Sequence, residues 1–142
     1  MKEIRTSVFA PQLHIRKGVT NIDFYKSLGA IELRSWKNDD DTYHVAELSI
    51  DGTIFHLHEE TQESLSPEHY NGTTVTIGLF VSDVDKIMKN AIAAGAVETS
   101  PPQDCEYGYR QGKFKDPFGL LWFHQIIFML LFYSYSHIPG CY

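Results

Sequence analysis

Thr74–Gly95, TVTIGLFVSDVDKIMKNAIAAG, decides the fold, because Ser7–Gly29, SVFAPQLHIRKGVTNIDFYKSLG, repeats its pattern. In each stretch an apolar strand passes through a short polar turn into an amphipathic helix that ends on Gly-Ala. Setting Gly95 against Gly29 gives an offset of 95 − 29 = 66, which also places Ala91 on Tyr25, Met88 on Ile22 and Thr76 on Ala10. Self-similarity at a fixed period means that one supersecondary unit occurs twice.

Working outward, the first copy reads as a strand over 7–15, a turn at Arg16-Lys17-Gly18 and a helix over 20–28 capped by Thr20 or Asn21. Ile22, Phe24, Tyr25 and Leu28 form its inward stripe. Strands over 30–36 and 43–50 flank the charged loop Lys37–Asp41, and Asp51-Gly52 is a hairpin turn because both residues tolerate positive φ. The return strand covers 53–59, giving βαβββ. The polar stretch 60–73 then suits a linker.

In the second copy a strand over 74–81 leads to a helix over 84–94, capped by Ser82 or Asp83 and ended by Gly95. Val84, Ile87, Met88 and Ala91 form its buried stripe. A short strand over 96–100 is expected to break at Pro101-Pro102. A strand over 107–114, the turn Asp116-Pro117-Phe118-Gly119 and a strand over 120–125 complete a second βαβββ.

Composition narrows the function classes. A chain of 142 residues that is 43% hydrophobic and 21% charged is globular. A net charge of −6 argues against a nucleic-acid surface. The start, MKEIRTSV, lacks the apolar core of a secretory signal, and no run approaches the roughly eighteen apolar residues of a membrane span. The reading is therefore cytoplasmic, with neither membrane nor nucleic acid as partner. Cys105 and Cys141 are far apart and without metal-ligand spacing, so no disulfide framework is expected.

Three groups of residues resemble the vicinal oxygen chelate superfamily of glyoxalases, bleomycin-resistance proteins, extradiol dioxygenases and fosfomycin-resistance transferases. They are Ile22-Asp23-Phe24-Tyr25 with Leu28-Gly29-Ala30, Val81-Ser82-Asp83-Val84-Asp85 with Ala94-Gly95-Ala96, and Tyr109-Arg110-Gln111-Gly112 with Asp116-Pro117-Phe118-Gly119 and Trp122. Tyr43–Leu48 and the DPFG turn look most like the branch named after a phosphonate-operon protein. The resemblance implies an α+β fold of two βαβββ modules whose curled mixed sheet surrounds a shared cavity, often in a homodimer. It covers residues 7 to about 125 of one domain, 1–125, with module one at about 7–59, the linker at 60–73 and module two at 74–125.

Strand alternation sorts the faces. Phe55 and Leu57 must pack on helices, which leaves Ile54, His56 and His58 on the other face. Packing of Ala46, Leu48 and Ile50 leaves Val45, Glu47 and Ser49. In the first strand the family's packing leaves Ala10, Gln12 and His14 for the cavity, and in the fifth alternation leaves Thr74, Thr76, Gly78 and Phe80.

By resemblance, metal-dependent members hold their ion with four cavity residues, and the matching positions here are Ala10, His56, Thr76 and Phe123. Only His56 is a good donor, whereas a divalent metal needs three or more protein ligands. The inherited metal site thus reads as lost and no cofactor is expected; an alternative divalent-metal site would draw on His56, His58, Glu47 and His14.

Glu47 and His56 are the candidate catalytic pair, because a carboxylate beside an imidazole orients its tautomer for proton transfer. They serve equally as a polar pair lining a wet cavity. Gln12, His14, His58, Thr76, Phe80, Tyr109, Arg110 and Phe123 are the candidate ligand-binding residues. Among them Arg110 reads either as a fork for a ligand's acid group or as a salt bridge to the Asp116 turn. Tyr107, Tyr109, Phe80 and Phe123 read as an aromatic wall or as ordinary core.

No nucleophile motif, phosphate-cradling loop or nucleotide fingerprint is present. Three functions therefore stand side by side: a metal-poor small-molecule binder, a glyoxalase- or epimerase-like lyase or isomerase using His56 and Glu47, and a structural dimerising module with a filled cavity. After the family pattern ends, 126–142 forms an apolar extension whose eight-residue run Ile126–Tyr133 is too short to cross a bilayer as a helix. It is expected to cover a sheet edge or act as a dimer arm.

Overall fold

A computed structural model of the chain describes residues 7–127, so the extension beyond Ile127, with Cys141, lies outside the described residues. They divide into two compact units, one ending at Ser66 and the other starting at Pro67. Each is a βαβββ module built on a four-stranded mixed sheet, and the fold is α+β.

The first unit comprises β1 (Gln12–Ile15), a 3-10 helix (Asp23–Leu28), β2 (Ala30–Lys37), β3 (Tyr43–Ile50) and β4 (Thr53–Glu59), in sheet order β1-β4-β3-β2. Asp51 and Gly52 adopt φ of 48° and 84°, so the β3–β4 hairpin turns in two residues as the Asp-Gly pair dictates. The predicted helix over 20–28 is instead a shorter 3-10 helix. Asn21 is not its cap residue; its Oδ1 accepts the Asp23 N–H at 2.7 Å in a local turn just before the helix starts. Ile22, Phe24, Tyr25 and Leu28 are nonetheless buried, because the apolar spacing is satisfied by either helix type.

The second unit comprises α1 (Pro67–Tyr70), β5 (Thr76–Phe80), α2 (Val84–Ala93), β6 (Val97–Asp104), β7 (Tyr109–Lys115) and β8 (Leu121–Ile127), in sheet order β5-β8-β7-β6. Asp83 caps α2 by accepting the Lys86 N–H at 3.0 Å, and Val84, Met88 and Ala91 turn inward onto β6, β7 and β8. Pro101-Pro102 does not end the sixth strand. Register shifts from Ser100↔Lys113 to Gln103↔Gln111 bulge the strand around the two prolines, and an edge strand tolerates their missing N–H groups.

The two sheets repeat in register as well as in order. Gln12 faces His56 across β1 and β4, and Gly78 faces Phe123 across β5 and β8. Glu47 faces His56 as Lys113 faces Phe123, and Arg34 faces Glu47 as Ser100 faces Lys113. The offset of 66 thus holds through the first three strands of each module and becomes 67 at the last, where the Asp116 turn is longer than Asp51-Gly52.

Candidate functional site

Within the first unit, strand parity gathers a polar row on the sheet face that the 3-10 helix leaves open. Leu13, Ala46, Leu48, Phe55 and Leu57 are buried on the covered side, and Gln12, His14, Glu47, His56 and His58 lie on the other. Glu47 is 9% exposed although charged, and its direct cross-strand partner is His56. His56 Nε2 lies 3.5 Å from Glu47 Oε2.

The same oxygen accepts N–H groups from Arg34 Nε at 3.2 Å and Nη2 at 3.1 Å. Arg34 in turn lies over the Trp36 ring, 5.6 Å from its centroid. Sequence reasoning did not single out Arg34. A bulge between Glu32 and Arg34 shifts the pairing of β2 on β3, and alternation counted along β2 alone cannot reveal which residue meets Glu47.

Beside this array the imidazoles stack. His56 and His58 rings are 5.7 Å apart and nearly parallel at 12°, and His14, opposite His58, has its ring 5.8 Å away. His58 Nε2 is buried without a hydrogen-bond partner. Burial pushes the His58 imidazole below its ordinary range, and the neighbouring His14, His56 and His44 push it the same way. Gln12 is exposed next to His56.

Within the second unit, Thr76, Gly78 and Phe80 share a face with Phe123, Lys113 and Tyr109. Phe80 is 53% exposed, Lys113 Nζ lies 5.1 Å from the Phe123 ring centroid, and the Tyr107 and Tyr109 rings are 5.1 Å apart. Gln111, on the same face, accepts a hydrogen bond from the Tyr107 hydroxyl and donates one to Gln125.

Arg110 has the opposite parity and faces α2. Its Nε and Nη2 both donate to the Asp85 carboxylate at 2.7 Å, and Nη1 donates to Asp104 at 2.9 Å. The salt bridge foreseen to Asp116 is thus made to Asp85 and Asp104 instead. Asp116 is occupied elsewhere: it accepts the Phe118 and Leu120 N–H groups and the Trp122 Nε1–H. These bonds to Asp85, then to Asp104, hold the guanidinium firmly protonated.

His124, a second residue missed from sequence, is fully buried on the helix side with Nε2 3.2 Å from the Val84 carbonyl oxygen. The carbonyl can only accept, so Nε2 carries the proton of the neutral ring. A cavity of about 520 Å³ also lies in the second unit, lined by Pro67, Glu68, Asn71, Lys115, Asp116 and Leu121 among others, and by none of the candidate site residues.

Among the described residues no group of three or more His, Cys, Asp or Glu side chains is disposed to hold a metal ion. The four positions matched to the family's metal ligands carry Ala10, His56, Thr76 and Phe123, and His56 Nε2 is turned toward Glu47. One donor does not fit a divalent metal at those positions.

Tandem βαβββ modules, each on a four-stranded mixed sheet, define a class of α+β proteins. Residues 19–123 match the Glyoxalase/Bleomycin resistance protein/Dioxygenase superfamily, and the chain belongs to that family. An uncharacterized protein of Mycobacterium bovis is 34% identical over 119 residues, covering 80% of this chain and 78% of that protein. A gene product of Arabidopsis thaliana superposes with a TM-score of 0.64 at 26% identity, over 84% of this chain and 98% of that one. TnmS3, an antibiotic binding protein from Streptomyces sp. CB03234, shares the fold with a TM-score of 0.60 at 17% identity, over 87% and 99% of the two chains. No described helix is long and apolar enough to cross a membrane.

Proposed function

We propose that this chain binds a small molecule without the metal its family commonly uses, and holds it on the open face of the first sheet. The observation that supports this reading is the Arg34–Glu47–His56 array, in which one carboxylate oxygen takes the contacts of both the guanidinium and the imidazole. That leaves Glu47 Oε1 as an acceptor for a ligand and His56 as a half-buried polar anchor. Gln12, His14 and His58 border the array; Thr76, Phe80, Tyr109 and Phe123 are the candidate ligand-contacting residues on the second module's own sheet face. The reading includes a homodimer, cytoplasmic residence and a place in the phosphonate-operon-like branch.

Elemental analysis of the tag-free protein, with calorimetric titration by zinc, nickel, manganese and iron(II), tests the metal-free part. No stoichiometric binding is expected. A stoichiometric ion that disappears in His56→Ala would overturn it. Thermal-shift screening with uncharged small molecules tests the binding part: a compound that stabilises the native chain and not His56→Ala is the expected outcome.

A second reading has its own observation, the 3.5 Å approach of His56 Nε2 to Glu47 Oε2 on directly paired residues. There His56 would move a proton next to a carbonyl, with Glu47 orienting the ring. Deuterium exchange into α-protons of small ketones, lost in His56→Gln, would favour it over simple binding.

A further inference from the structure

We propose that the cavity of the second unit is a ligand site of its own, which takes a small zwitterion of the α-amino-acid class by its carboxylate and its ammonium group. It shares no residue with the array on the first sheet, and it goes beyond the reading of that face. Its volume of about 520 Å³ lies within the roughly 300–1,000 Å³ of small-molecule sites.

The walls are held in place by close packing at two glycines. A Cβ on Gly119 would lie 3.3 Å from both Pro67 Cβ and Glu68 Cγ, so α1 sits directly on the Asp116–Gly119 turn. A Cβ on Gly95 would lie 3.5 Å from Pro117 Cγ, so the chain leaving α2 meets the same turn. Between these contacts the turn is fixed by the three N–H groups that Asp116 accepts. A ligand therefore does not have to order the cavity before it binds.

The charges on the walls select the ligand's class. Asp116 is 3% exposed and its carboxylate is engaged by the turn, whereas Lys115 and Glu68 are exposed side chains of opposite sign. Among the described residues Lys115 makes no ion pair or hydrogen bond, although Glu68 lines the same cavity. Two opposite charges that do not neutralise each other match a ligand that carries both signs. Its carboxylate would lie against Lys115 Nζ and its ammonium against a Glu68 oxygen; an ionised carboxyl has about four lone-pair sites and can accept this donor beside others. The Asn71 side chain, likewise without a hydrogen bond among the described residues, adds an amide that can donate to the ligand's carboxylate. Val97, Leu121 and Pro67 supply apolar wall for the ligand's side chain. A simple acid would meet Glu68 as a like charge and a simple amine would meet Lys115, so the cavity disfavours both.

Leucine, isocaproate and isoamylamine are the probes, because they share one apolar tail and differ only in carrying both charged groups, the acid alone or the amine alone. In a nitrogen-15 NMR titration of the full chain at neutral pH, leucine is expected to shift the backbone amides of Asn71, Gly95 and Gly119. It should bind about ten-fold or more tighter than either analogue. Lys115→Gln and Glu68→Gln should each weaken leucine by about five-fold or more, while Lys89→Gln, an exposed lysine of α2, leaves it unchanged. Urea unfolding midpoints equal to that of the parent chain show that the variants fold, and the comparison of the three probes on the parent chain needs no variant. No binding of leucine, shifts confined to other amides, an analogue that binds as tightly as leucine, or leucine affinity untouched by Lys115→Gln would each overturn the proposal.

Discussion

Gly112 shows how a single missing Cβ can decide the interior of a unit. A Cβ added there would lie 2.8 Å from His124 Cε1 and 3.0 Å from Nε2, with Met88 Cε at 3.2 Å. His124 cannot retreat, because its ring is fully buried and bonded to the Val84 carbonyl. Gly112→Ala should therefore destabilise the protein by about 1–3 kcal/mol, read as a lower midpoint in urea unfolding with unchanged slope. From sequence the glycine reads as part of a family motif, and the histidine carries no signal of its own. Only the paired register Gly112↔His124 shows that one exists to admit the other. Arg34 has the same history: its charge is legible in the chain, while its partner depends on a bulge.

At the scale of elements, the DPFG turn carries more than its turn dihedrals. Asp116 is 3% exposed and its carboxylate accepts three N–H groups: Phe118 at 2.8 Å, Leu120 at 3.0 Å and the Trp122 indole at 3.0 Å. Gly119 completes the turn at φ of 88°. Asp116→Ala would leave three buried donors unmatched, at a cost of about 3 kcal/mol or more, and should lower the thermal midpoint well beyond the change in Asp116→Asn, which keeps an acceptor oxygen. The β6 prolines teach the complementary point. Proline chemistry signals a break, but an edge position lets the strand bulge and continue, and edge or centre is a property of the sheet rather than of the segment. Likewise the 20–28 stripe fixes which residues turn inward, while the helix that presents them is 3-10 rather than α.

At the scale of the whole molecule, the chain should be sensitive to acid. Burial holds His58 and His124 below the ordinary histidine range, and the Val84 carbonyl offsets part of this for His124. A depressed folded-state pKa means that the unfolded chain binds the proton first. The stabilisation is complete above the unfolded value of about 6.5 and is lost as pH falls through the lower folded values. Melting temperatures should be flat above neutrality and decline below about pH 6.5, with a shallower decline in His124→Phe. An equal decline in that variant would assign the effect elsewhere.

The repeat in the chain determined the two βαβββ modules, and alternation the faces of β3 and β4, because period and parity are local properties of a polypeptide. It also placed Glu47, His56 and His58 on one face. Tertiary structure alone decided that Arg34 completes the array, that Arg110 serves Asp85 and Asp104, and that His124 is sealed behind Gly112. Those pairings depend on register, bulges and helix docking, which join residues far apart in sequence and are set by how whole strands fit together.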